Sequence, residues 1–240
     1  MASLRRVRSY ARRGGRLTQG QERAIKELWP RYGLRETDAF DPLSVFGRRA
    51  LLTLEIGFGD GANLIALAQQ YPEQDFLGID VYRPGMGALF ARLACEAIDN
   101  VRIYASDVTD VLRRILPPAV LTRALIFFPD PWPKRRHHKR RLIQPVFLGQ
   151  LARALHSGGG LHLATDDADY AACMQACLRA DPSYVLQAVR VNAGSPFRIP
   201  TRFERKGREL GHAIYDIDAL KITDPIPSGC KQLLGGCASC

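Results

Sequence analysis

From residue 51 onward, short β-branched or apolar runs alternate with stretches whose apolar residues recur every three or four positions, the pattern of a parallel sheet with crossover helices. Strands are predicted at 51–56, 76–81, 101–105, 123–128, 160–165, 184–191 and 213–218, with helices near 61–70, 85–98, 108–115, 143–156 and 168–180. The alternation then stops. Asn192 to Gly211 is polar and has no helical period, so the last two strands are expected to pair antiparallel across a long loop. The prediction is an α/β protein built on a doubly wound, seven-stranded, mostly parallel sheet with an antiparallel last strand.

Composition narrows this. A chain of 240 residues, 46% of them apolar, fits one large domain with a core of its own. No apolar run approaches the roughly 18 to 20 residues that span a bilayer, so no membrane is expected as partner. The patterning divides the chain into a basic arm and lead-in helix (1–45), the sheet domain (46–222) and a flexible tail rich in Pro, Gly and Cys (223–240).

Lys and Arg outnumber Asp and Glu by 34 to 24, a net charge of +10, which favours a polyanionic partner. Arg5, Arg6, Arg8, Arg12, Arg13 and Arg16 crowd a start with no acid before Glu22, as an RNA-contacting arm or a solvated tail would. A transit peptide fits less well because hydroxyl residues are scarce. The opening carries no signal-peptide pattern, so the six cysteines are expected to be reduced cytosolic thiols. Cys173 and Cys177 read as helix filler. Cys230, Cys237 and Cys240 lack the paired spacing of a zinc ribbon, so no metal is expected.

The first strand runs into Glu55-Ile56-Gly57-Phe58-Gly59-Asp60-Gly61, followed by a helix. Glycines at alternate positions permit a tight turn and close approach of a ligand to the backbone, and the helix start offers free N–H groups. A dinucleotide fingerprint needs Gly-x-Gly-x-x-Gly; here the third glycine comes one residue early, and Glu55 would repel a pyrophosphate. S-adenosylmethionine, with an amino group and a sulfonium, suits Glu55 instead. Asp80, at the second strand end, is placed to accept ribose hydroxyls, and Asp107, at the third, to take the adenine amine. Singly, each acid is an ordinary cap or loop residue; together with Gly57, Gly59 and Gly61 they describe a cofactor site.

The fourth strand ends in Phe-Phe-Pro129-Asp130-Pro131-Trp132-Pro133-Lys134, and Arg135 to Arg141 follow. The prolines fix φ on both sides of Asp130 and hold its carboxylate in place. Methyltransferases acting on exocyclic amines of adenine or cytosine have related turns, usually with two consecutive prolines after the polar residue. A carboxylate only accepts hydrogen bonds, so it suits guanine, whose N1–H and exocyclic amine donate from one edge and leave N7 free. Trp132 can stack on a base or pack on the sheet. Arg136, His137, His138, Lys139, Arg140 and Arg141 read as a phosphate-binding run or as an exposed charged helix start.

With these segments the chain resembles the bacterial tRNA (guanine-N7)-methyltransferase family. The likeness covers most of its length and is carried by Arg16 to Gln21, Glu55 to Gly61, Gly78 to Val81, Phe127 to Lys134, His138 to Arg141, Ala164 to Asp166 and Thr201 to Glu204. It implies a Rossmann-like class I S-adenosylmethionine-dependent methyltransferase, a cytoplasmic tRNA-processing enzyme, monomeric or homodimeric, with no obligatory protein partner. Glu55, Asp80 and Asp107 would bind the cofactor, and Asp130 would serve cofactor and substrate as the catalytic residue. Lys134, Asp166, Thr201, Arg202, Phe203 and Glu204 would contact the tRNA substrate, whose target guanine lies in the variable loop. The sequence departs from the family in having Asp80 where Glu is frequent and Arg202 where Lys is frequent. By itself Thr201-x-x-Glu204 is a helix-capping pattern. An exocyclic-amine methyltransferase and a catalytically inactive RNA-binding protein of the same fold are the alternatives.

Overall fold

The computed structural model describes residues 16–222. The arginines from Arg5 to Arg13 and the cysteines at 230, 237 and 240 lie outside the described residues. A helix, α1 (Gln19–Tyr32), opens on a capping box in which Thr18 and Gln21 exchange side-chain and backbone hydrogen bonds. The sheet follows as β1 (Gly33–Leu34), β2 (Leu52–Ile56), β3 (Asp75–Ile79), β4 (Val101–Tyr104), β5 (Leu121–Phe127), β6 (Leu155–Thr165), β7 (Tyr184–Val191) and β8 (Tyr215–Lys221). Its helices are α2 (Pro42–Phe46), α3 (Ala62–Gln70), α4 (Arg83–Cys95), α5 (Val108–Arg114), α6 (Pro145–Ala154), α7 (Ala168–Ala180) and α8 (Arg202–Glu209), with a 3₁₀ turn at Arg135–Arg140.

The spatial order is β1-β4-β3-β2-β5-β6-β8-β7, parallel except where β8 runs antiparallel between β6 and β7. All five residues of β2 are buried, as expected of a central strand covered on both faces. On one face Leu54, Leu77, Ala124, Ile126 and Leu163 pack against side chains of α5, α6 and α7. On the other, Phe76, Val101, Ile103 and Leu125 meet α3 and α4, with Tyr32 of α1 in the same cluster. A Cβ on Gly87 would sit 2.7 Å from Gln21, so the lead-in helix lies tightly on α4.

Two expectations need correction. The sheet has eight strands, because two residues at Gly33–Leu34 pair with β4, a segment too short to leave a periodic signal. The polar stretch after β7 contains α8, which has no apolar stripe. Thr201 caps it by accepting the Glu204 N–H at 3.1 Å, and Glu204 pairs with Arg208 one turn on at 2.8 Å. The antiparallel pairing of the last two strands is as expected, with α8 in the connection between them.

Candidate active site

Five carboxyl groups mark the C-terminal ends of five adjacent parallel strands. Across the sheet they fall in the order Asp107 after β4, Asp80 after β3, Glu55 in β2, Asp130 after β5 and Asp166 after β6. Crossovers leave β2 in opposite directions on its two sides, so Glu55 and Asp130 flank the place where the strand order reverses, the position at which open α/β sheets bind ligands.

Between β2 and α3 the turn is made by Gly57, Gly59 and Gly61, with φ of 76°, 61° and 75°. A Cβ at Gly57 or Gly59 would meet nothing within 4 Å, so the backbone there is open on the side a ligand would approach. Gly61 is tight instead, with Leu89 2.5 Å from the Cβ it lacks. A Cβ on Gly85 would fall 1.8 Å from the Gly59 carbonyl, which presses the first turn of α4 against the glycine turn. Asp80 ties these parts together, accepting from Gly59 N–H at 2.9 Å, Val81 N–H at 2.7 Å and Tyr82 N–H at 2.9 Å.

Glu55 is 4% exposed and accepts a hydrogen bond from Asn63 Nδ2 at 3.1 Å. Burial pushes its carboxyl up to about 8, against a smaller opposing pull from Asn63, and the charges of Asp80 and Asp60 add to the rise. Such a group favours a cationic ligand, which would stabilise its ionised form. Asp107 caps α5, accepting from Thr109 N–H at 2.9 Å and Thr109 Oγ1 at 2.6 Å. An open glycine turn, a buried carboxyl and two further carboxylates along one edge fit a ligand carrying a cationic amine, a ribose and an amino-substituted base.

Asp130 follows the β5 tip, where Phe128 and Trp132 hold positive φ of 52° and 48°. Trp132 is half-buried, with the Arg140 guanidinium 4.0 Å over its ring and His137 meeting it edge-on at 5.8 Å. The basic run is not uniformly exposed. Lys134, Arg135, Arg136 and Lys139 are exposed, and His137, His138 and Arg140 are half-buried. Partial desolvation and the cations around it lower the His137 pKa, so it adds little positive charge.

Arg141 departs from the expectation that its charge lies along RNA. Only 3% exposed, it donates to the Pro131 carbonyl at 2.8 Å and to Asp169 at 2.5 Å, and its guanidinium lies 4.9 Å from the Tyr170 ring centroid. It therefore braces the loop that carries Asp130. Its hydrogen bond holds the Asp169 carboxyl below the usual carboxylate range.

Asp166 faces α8: its carboxylate meets His212 Nδ1 at 3.3 Å and would lie 3.1 Å from a Cβ on Gly207. Thr201 is the α8 cap, and Arg202 and Phe203 form its first turn. Glu204 turns inward, 3% exposed, and forms an ion pair with Arg198. Arg198 also reaches Asp216 of β8 at 2.7 Å, and its guanidinium lies 5.7 and 5.4 Å from the rings of Phe127 and Phe128. Asn63, Arg198 and Asp216 were not singled out from the sequence. Several of their partnerships are distant along the chain, 134 and 136 residues for Asn63 with Phe197 and Ile199 and 18 for Arg198 with Asp216, so no local spacing marks them. The five strand-end carboxyls thus line one edge of the sheet, while Arg141 sits beneath the β5 loop.

Among the described residues no group of His, Cys, Asp and Glu could hold a metal ion, and no helix is long and apolar enough to cross a membrane. A family model described as a putative methyltransferase matches residues 49–217. Curated relatives include the tRNA (guanine-N(7)-)-methyltransferase of Methylococcus capsulatus, 47% identical over 89% of this chain and 93% of that protein. The enzyme of the same name from Stutzerimonas stutzeri is 44% identical over 92% of this chain and 94% of that one. Among solved structures, the 16S rRNA methyltransferase KamB superposes with a TM-score of 0.58 at 14% identity, covering 78% of this chain and 95% of that one, a likeness of fold.

Proposed function

The chain belongs to the tRNA (guanine-N7)-methyltransferase family, and from that premise we propose that the acidic edge of its sheet is the active site. The enzyme methylates guanine N7 in tRNA with S-adenosylmethionine as donor. When bound, the donor supplies a sulfonium methyl, which the in-plane lone pair of N7 takes without removal of a proton. The chain's task is alignment. Holding two reactants about 3 to 3.5 Å apart and in line is worth roughly 7 to 11 kcal/mol.

The residues divide that task by position. Glu55 meets the donor's amino group, Asp80 the ribose and Asp107 the adenine, with Gly57 and Gly59 leaving the backbone accessible. Asp130, next to the strand-order reversal, accepts hydrogen bonds from the N1–H and exocyclic amine of guanine. Methylation makes the base cationic and strengthens those donors, so a fixed carboxylate stabilises the charge as it develops. Arg141 keeps the Asp130 loop in register through Pro131. Lys134, Asp166 and the α8 start at Thr201 to Phe203 face the RNA; Glu204 serves from behind through Arg198. Arg136, Lys139 and Arg140 neutralise phosphates, offsetting the few kcal/mol needed to unstack the base. By the family resemblance the target guanine lies in the variable loop, and the enzyme works in the cytoplasm.

The observation that carries this reading is the row of strand-end carboxyls with Asp130 beside the reversal point. Incubating the chain with labelled S-adenosylmethionine and unmodified tRNA, then digesting the RNA to nucleosides, should yield 7-methylguanosine. Methylated adenine or cytosine would assign the site to exocyclic-amine chemistry, and bound but unlabelled RNA would assign it to binding alone.

A further inference from the structure

We propose that Asn63 is a positioning residue that couples cofactor binding to tRNA binding, by fastening the strap Phe197–Ile199 to the carboxyl of Glu55. The inference rests on the reading of Glu55 as the acid that meets the cofactor's amino group. Asn63 is the second residue of α3 and is 4% exposed. Its Nδ2 donates both to Glu55 Oε2 at 3.1 Å and to the Phe197 carbonyl at 3.2 Å, and its Oδ1 accepts the Ile199 N–H at 3.0 Å. A flipped amide would set oxygen against the Phe197 carbonyl and NH₂ against the Ile199 N–H, so the hydrogen bonds themselves fix its orientation.

The strap also contacts β5, β6, β8 and α8. The Phe197 ring lies 4.4 Å from His162 and 4.0 Å from the Arg123 guanidinium. The Arg198 guanidinium pairs with Glu204 at the head of α8 and with Asp216, and it lies over Phe127 and Phe128 just before the Asp130 loop. Gly207 of α8 in turn packs on Asp166. Three consecutive residues therefore join the cofactor acid, the β5 tip and the helix proposed to face RNA.

The coupling has a defined direction. Without a cationic ligand, burial favours the neutral form of Glu55, a weak acceptor. A ligand ammonium ionises it and makes the Asn63 hydrogen bond charge-assisted, roughly twice as strong. The amide is then held, and with it the backbone at 197 and 199. By linkage, bound tRNA must raise cofactor affinity by the same factor.

The test measures tRNA affinity with and without saturating S-adenosylhomocysteine, which keeps the amino acid and adenosine and lacks the reactive methyl. The wild-type chain should bind tRNA about fivefold or more tightly with it. In Asn63→Ala the ratio of the two affinities should fall to about one. Because a weakened fold could mimic this, hydrogen exchange across residues 195–204 of the wild-type chain gives an independent reading: S-adenosylhomocysteine should slow it. Equal tRNA affinities in the wild type, an unchanged ratio in Asn63→Ala, or exchange indifferent to the ligand would each overturn the proposal. If Glu55→Gln weakens S-adenosylhomocysteine binding while wild-type tRNA affinity ignores the ligand, the coupling alone fails. If Glu55→Gln leaves that binding intact, the underlying reading of Glu55 fails.

Discussion

The charged clusters of the β6-β8-β7 wing and the buried Glu55 of β2 are handled in opposite ways. On the β6-β8-β7 wing, Arg198 sits between Glu204 and Asp216, and Asp218 meets both His162 and Arg190. Although burial pushes the Asp218 carboxyl up, those partners bring it below the usual range. On the β2 side, Glu55 is buried as deeply but receives a neutral amide, with Asp80 and Asp60 repelling it, and its carboxyl is pushed up to about 8. Charge neutralised within the chain holds the chain together. Charge opposed by its own neighbours is suited to a ligand of opposite sign.

The wing offers the most severe test of this contrast. Arg198→Met removes the cation that the buried Asp216 and Glu204 share, leaving Glu204 with only the more exposed Arg208, and breaking a buried pair in this way costs about 3–5 kcal/mol. Urea melts should show that loss directly. Replacing Arg198, Glu204 and Asp216 together with apolar residues of similar volume should recover most of it, since the cost lies in the uncompensated charge. A mild effect of the single change would mean that water reaches the cluster.

Next comes Asp130→Asn, which keeps size and removes charge at the β5 tip. Methyl transfer in single-turnover assays should fall about 100- to 1000-fold while tRNA binding is retained. Loss of tRNA binding with intact turnover of bound RNA would move Asp130 from the reacting base to the RNA scaffold.

Glu55→Gln probes the other side of the comparison. The folded chain binds a proton at Glu55 more tightly than the unfolded chain, with values of about 8 against 4.5, so this group's contribution to stability declines as pH rises between them. Melts of the Gln variant should lose that slope, and the variant should gain on the wild type toward pH 8. Cofactor affinity should move the other way in the wild type, climbing as the pH approaches about 8 because an ammonium ligand prefers the carboxylate. Calorimetry should show Gln about 10- to 100-fold weaker.

What the sequence disclosed divides along the same line. The β2 to β5 region was legible because its signals are local: apolar runs, glycines at 57, 59 and 61, and acids where strands end. The wing was half legible. Its antiparallel pairing followed from the lost alternation, but α8 was hidden because its sequence has no apolar stripe and it turns the polar Glu204 inward. The cap at Thr201 and the Glu204–Arg208 spacing were the available signals. Arg198 and Asp216 could not be matched as partners, since charge pairing across a connection leaves no period. The run from Arg135 to Arg141 read as one block for the same reason, and burial separates its members.

That separation gives the finest test. Arg140 lies on the Trp132 ring at the surface side of the loop, whereas Arg141 is spent on Pro131 and Asp169 inside it. If exposure decides which cations meet phosphate, Arg140→Ala should lower the slope of log affinity against log salt by about 1, and Lys139→Ala should do the same. Arg141→Met should leave that slope intact and instead reduce kcat, on the order of tenfold, because the Asp130 loop loses its brace. Asp169→Asn should act in the same direction, and the double variant should be little worse than Arg141→Met, since both changes loosen one connection. A salt slope that falls in Arg141→Met would place that guanidinium on RNA after all, and the distinction between charges spent inside the chain and charges offered to a ligand would then fail at the β5 loop.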